Sequence, residues 1–132
     1  MPKPIPPAVP DQVRRFILTS VPSVPFLEAA LLFHASPDRA FSISSLAHAL
    51  YVPVDVAQRL LDELTAIGVV TERAGGHGYS PRDTELADAL DQLFACYRSN
   101  LVEVTRLIHD PTLRSAERFA NAFRWRKDSD NV

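Results

Sequence analysis

Few side chains in this 132-residue chain are equipped for chemistry. His34, His48, His77 and His109 show no metal-ligand spacing, and Cys96 has no ligating neighbour, so neither a metal nor a cofactor is expected. Glu85, Asp88 and Asp91 recur at three-residue intervals. Paired carboxylates can act as general acid and base, but a solvated helix face accounts for the same spacing. Gly75-Gly76-His77-Gly78 lacks the Lys and Ser/Thr of a phosphate-cradling loop. Cys96, between Phe94 and Tyr97, reads as a packed thiol. A redox sensor there would need exposure and a basic neighbour, for which Arg98 is the candidate. No catalytic set emerges, and an enzyme is not expected.

Binding chemistry is better represented. Arg114, Arg118, Arg124, Arg126 and Lys127, with Trp125 among them, form a basic and aromatic C-terminal segment. Such a segment suits phosphates or an acidic protein partner, and dipole compensation at a helix end is the plainer explanation. The formal net charge of -2 gives the whole chain no pull toward nucleic acid. A single cysteine excludes an internal disulfide. The opening MPKPIPPAVP has no apolar secretory core. Phe26 to Phe33, the strongest apolar run, falls short of the ~18 residues of a membrane span and contains Glu28. These features imply a cytoplasmic protein with no membrane partner.

The elements that must position these groups follow from periodicity. Residues 1–10 hold five prolines and read as an extended arm. Asp11 is the expected cap of a short helix, Gln12 to Thr19, with Val13, Phe16 and Ile17 on one face. Ser23 and Pro25 open a second helix to Ala35 that is apolar nearly all round and belongs at a domain centre. Ala40-Phe41-Ser42 is a candidate strand. Ile43 to Leu50 repeats Ile43, Leu46, Ala47 and Leu50 at helical spacing. Pro53 opens the next helix, striped with Val56, Ala57, Leu60, Leu61, Leu64 and Ile67 and closed by Gly68. Val69 to Arg73, the glycine turn and Tyr79-Ser80 form a β-hairpin. Ser80-Pro81-Arg82-Asp83 resembles a capping box for one long helix to about Asp110, where Pro111 stops it. A final helix is expected over Thr112 to Trp125.

Ile43 to Ser80 resembles the winged helix-turn-helix of small bacterial transcriptional regulators of the MarR and ArsR kind. The matching residues are Ser45-Leu46-Ala47, Leu50, Val52-Pro53, Val56, Leu60, Leu61, Leu64 and Ile67-Gly68-Val69-Val70. Tyr51 stands where the family commonly has a turn glycine, and Pro53 where it has a Ser or Thr cap. The resemblance implies a dimer binding double-stranded DNA, with the third helix of the motif in the major groove. Val54, Asp55, Gln58, Arg59 and Asp62 would then face DNA, with Arg73 and His77 in the wing and Arg124, Arg126 and Lys127 on phosphates. Arg59 would pair with guanine and Gln58 with adenine, while Asp55 and Asp62 would oppose docking on phosphate.

Along the expected long helix, Leu86, Leu90, Leu93, Tyr97, Asn100, Val104 and Leu107 repeat with 4–3 spacing, a candidate homodimer seam. A buried Asn100 would fix its register. The fold expected is therefore mainly α with a small β-hairpin wing: a winged helix-turn-helix with extra N- and C-terminal helices. Its parts are an arm over 1–10, a winged-helix domain with the long helix over 11–110, and a helix with a basic tail over 111–132. The function implied is a dimeric DNA-binding transcriptional regulator. The alternative is a protein-interaction adaptor that keeps the scaffold without groove binding.

Overall fold

The structure, a computed structural model, describes residues 9–117, 119 and 120. It is mainly helical with one two-stranded antiparallel hairpin. No single helix among the described residues is long and apolar enough to cross a membrane. The chain divides into two compact units. One is Ser23–Phe94, and the other combines the described residues of Met1–Pro22 and Ala95–Val132.

The Ser23–Phe94 unit starts with α2 (Val24–Ala35), which follows α1 (Asp11–Ser20) in the chain. Ser23 Oγ accepts the Phe26 amide at 3.2 Å, satisfying a donor that a helix start leaves orphaned. Phe26, Leu27, Ala29, Ala30 and Phe33 of α2 are buried, as its all-round apolar sequence requires. Phe33 meets buried Phe41 edge to face at 5.1 Å, and the Arg39 guanidinium lies 4.3 Å above the Phe41 ring. Burying each such ring contributes roughly 1.5–3 kcal/mol.

α3 (Ile43–Leu50) is capped by Ser42, whose Oγ accepts the Ser45 amide at 3.1 Å. Tyr51 ends it in the left-handed conformation (φ 57°, ψ 43°), so that its N–H reaches the carbonyls of Ala47 and His48. α4 (Val54–Ile67) follows at once. Pro53 occupies the cap position itself, one residue ahead of the helical position expected for it, and provides no side-chain cap. Asp55 in the first turn complements the helix dipole instead. Ala57, Leu60, Leu61 and Leu64 face inward, and Gly68 closes the helix at φ 95°.

β1 (Val70–Arg73) and β2 (Gly76–Tyr79) pair in register from Val70↔Tyr79 to Arg73↔Gly76, leaving the two-residue loop Ala74-Gly75. The outer edge of β2 pairs with Phe41. The Phe41 amide donates to the His77 carbonyl at 2.8 Å, and the His77 amide donates back at 2.9 Å. The expected strand at 40–42 is thus a single bridge. Gly76 is at φ 139°, and a Cβ there would collide with the Phe41 carbonyl.

The expected helix from Pro81 to Asp110 is two helices, α5 (Thr84–Tyr97) and α6 (Leu101–His109). Its cap is Asp83 rather than Ser80, since Asp83 Oδ1 accepts the Leu86 amide at 2.8 Å. The break lies at residues 98–100. Asn100 turns its side-chain amide onto the Cys96 carbonyl at 3.1 Å, alongside its own backbone N–H at 3.0 Å. Ser and Asn compete locally with the helical backbone in this way.

The second unit pairs α1 with α6. Val13, Ile17 and Leu18 of α1 and Val104, Leu107 and Ile108 of α6 are buried. α1 begins at Asp11 itself, after Pro10 in the cap position. Residues 111–117, 119 and 120 are helical, and Arg114 donates to the carbonyls of Val21 and Ile108. Arg15 and Glu117 are paired at 3.2 Å. The rest of the helix expected to Trp125 lies outside the described residues.

Candidate macromolecular interface

The outward side of α4 is set by what its inward side buries. With Ala57, Leu60, Leu61 and Leu64 inside, Asp55, Arg59 and Asp62 are exposed along one line of the helix. Val54 is 55% exposed at its start. Tyr51, just before it, is 93% exposed. A bare aromatic ring on the left-handed turn between α3 and α4 is a feature that the apolar stripes of the sequence do not announce. Its signal was available in the tight link between the two helices, whose left-handed cap is a position usually given to glycine.

The expected readout residues are brought to this face, but not in the state expected. Gln58 Nε2 donates to Asp62 Oδ1 at 2.8 Å, so the amide assigned to adenine is engaged by the neighbouring carboxylate one turn on. Arg59 makes no hydrogen bond or ion pair with any described residue. Glu63, half-buried beside Asp62, adds a third carboxylate. Three acids to one base leave this side of α4 negative.

In the hairpin, Arg73 is exposed but turned back onto its own unit. Its guanidinium donates to the Pro37 carbonyl at 2.9 Å and to the Tyr79 carbonyl, lying over Gly78. The phosphate contact expected of Arg73 is therefore replaced by an internal tie between the loop after α2 and the hairpin. His77 is half-buried and serves through its backbone, holding Phe41. Glu72, its cross-strand partner, is exposed. Arg124, Arg126 and Lys127 lie outside the described residues.

The expected dimer seam is occupied from within. Leu86, Leu90, Leu93, Val104 and Leu107 are buried in the chain itself, and Tyr97 and Asn100 sit half-buried at the α5–α6 break. A 4–3 repeat can serve intrachain packing as readily as a seam. Here the break ends the continuous stripe a coiled coil requires.

A second cluster joins α2, β2 and α5. His34 Nε2 is 2.8 Å from Asp91 Oδ1, and the His34 ring packs against Tyr79 (5.5 Å) and Phe94 (4.8 Å). The Tyr79 hydroxyl is buried with no hydrogen-bond partner among the described residues. Burial, aided by the Asp91 charge, pushes its pKa up to about 12. Cys96 is half-buried, and burial raises its thiol pKa, the direction opposite to that of an activated thiolate. Glu103 on α6 is lowered by its hydrogen bond from Arg106, an exposed pair at 2.9 Å.

Compared with known proteins, the chain matches no family model, no curated protein and no solved structure.

Proposed function

We propose that Ser23–Phe94 is a winged helix-turn-helix in which α3 and α4 are the motif and the hairpin is the wing, and that α4 docks on a protein. The order of helices, the left-handed turn at Tyr51 and the Phe41–β2–β1 pairing support the scaffold. The direction of the charges carries the choice of partner. DNA affinity rests on outward Lys and Arg neutralising phosphates. On this face Asp55 and Asp62 point out, Gln58 is bound to Asp62, and Arg73 donates inward. A protein partner with basic and apolar groups fits Tyr51, Val54 and these acids without that penalty.

One observation favours the second reading, a DNA-binding regulator: Arg59 projects from the middle of the docking helix with no partner among the described residues. A bidentate contact to guanine would use it fully. Site-specific photo-crosslinking from position 51 in cells separates the two. A protein adduct formed at position 51, not at exposed Glu28, and lost on joint Asp55→Arg and Asp62→Arg substitution, is the expected result. A nucleic-acid adduct abolished by Arg59→Ala would replace it with the DNA reading.

A further inference from the structure

The occupant of the α4 face is open to a more specific assignment, which rests on the protein-docking reading above. We propose that this face receives the Arg124-Trp125-Arg126-Lys127 segment of a second copy of the chain.

Two sets of residues in the chain match in chemistry. The face opens on exposed Tyr51 and Val54, and continues along α4 to Asp55 and Asp62. The two carboxylates are seven residues apart, about 10 Å along the axis, and nearly in line. Arg59 between them makes no salt bridge with either, and the neutral Gln58 amide on Asp62 Oδ1 leaves that carboxylate's charge uncompensated, so both can attract a cation from outside. The tail segment carries three cations in four residues, and its remaining residue is the only tryptophan of the chain. Guanidinium groups suit carboxylates through paired hydrogen bonds, and an arginine or indole stacks on a tyrosine face. Apolar aromatic anchors within a ring of charge are the composition of strong contact sites.

Arg124 to Lys127 lie four to seven residues beyond Ala120, so the segment can extend up to about 14–25 Å from it. Reciprocal exchange between two copies makes each contact twice under a two-fold axis, which closes the assembly. The rest of the surface offers less. The exposed apolar residues Leu101, Val102 and Phe119 lack an opposite-charge counterpart that would name an occupant. The His34–Asp91 pair is already engaged within its own unit.

The test is a charge swap in the 132-residue chain. One variant carries Asp55→Arg and Asp62→Arg, and the other carries Arg124→Glu, Arg126→Glu and Lys127→Glu. Mass is followed by sedimentation equilibrium, with thermal unfolding confirming that both variants fold. Each variant alone should dimerise at least about tenfold more weakly than the parent, because tail and face then repel. An equimolar mixture should recover a heterodimer, since both contacts are again between opposite charges. Glu28→Lys should change nothing. A chain that is monomeric throughout, or variants that dimerise like the parent, or a mixture that fails to recover, overturns the assignment.

A labelled peptide of residues 119–132 and a scrambled peptide of equal charge separate this from the broader reading. Equal binding of both peptides, dependent on Asp55 and Asp62 and without a dimer, leaves the docking face in place and removes the tail as its occupant. Binding of neither peptide, with duplex DNA bound through Arg59, removes both.

Discussion

Gly76 and Phe41 approach so closely that the Phe41 carbonyl fills the space a Cβ on Gly76 would need. Gly76 also holds φ 139°, a region closed to other residues. Gly76→Ala should therefore separate the hairpin from Phe41 and destabilise the protein by about 2 kcal/mol or more. Urea unfolding measures the loss. Amide exchange should quicken at Phe41 and His77, whose mutual hydrogen bonds form the bridge.

Tyr51 has a conformation that suits glycine better. The left-handed region costs an ordinary residue roughly 1–2 kcal/mol, and glycine returns part of this through its unfolded-state freedom. Tyr51→Gly should raise stability by about 0.5–1 kcal/mol, read as a higher midpoint in urea. If Tyr51 anchors a partner, the same variant should lose dimerisation while gaining stability, a combination that a merely structural residue does not produce.

Tyr79→Phe removes a buried hydroxyl that has no hydrogen-bond partner among the described residues. An unsatisfied buried polar group costs about 1–3 kcal/mol, so the variant should be more stable near neutral pH. The pH dependence has a defined sign. In the unfolded chain the phenol ionises around 10.0, whereas in the folded protein it holds its proton to about 12. The unfolded state thus gains from ionisation first, and stability falls as pH rises through that window. Thermal unfolding from pH 8 to 12 should show this loss in the parent, and Tyr79→Phe should lack that component.

Arg73→Lys tests the inward role of that guanidinium. A lysine cannot serve the Pro37 and Tyr79 carbonyls with the same planar fork. A loss of about 1 kcal/mol in urea unfolding is expected. A phosphate-binding arginine would instead tolerate the change in stability, and lysine would keep most of its affinity.

Local rules reached far in this chain. Ser23, Ser42 and Gly68 act at helix ends as their residue types predict, and the centres of the α2, α3 and α4 stripes are buried, while Ile43, Leu50, Val56 and Ile67 at the stripe ends are half-buried. Element limits were less legible where two residues compete for one role. Pro53 stands at the cap position of α4 rather than inside its first turn, and Asp83 rather than Ser80 captures the first turn of α5. The break at 98–100 depends on a side-chain amide winning a carbonyl from the backbone, an outcome the apolar repeat of the surrounding sequence conceals. Contacts across long separations were not legible. In the sequence His34 shows only that it lacks metal-ligand spacing, and Asp91, 57 residues away, belongs to a solvated face. The same holds for Arg73, whose partner carbonyl at Pro37 is 36 residues earlier. Without that contact an arginine on a hairpin simply reads as a phosphate ligand.

The guanidinium of Arg73 also occupies the place where a side chain at position 78 would grow. The two positions therefore form one heritable unit. Any larger residue at 78 must displace the guanidinium and forfeit its two carbonyl bonds, so the easier mutational path loses the arginine first. Lineages that keep Arg73 should keep Gly78, and those that have replaced the arginine are the ones in which position 78 is free to drift.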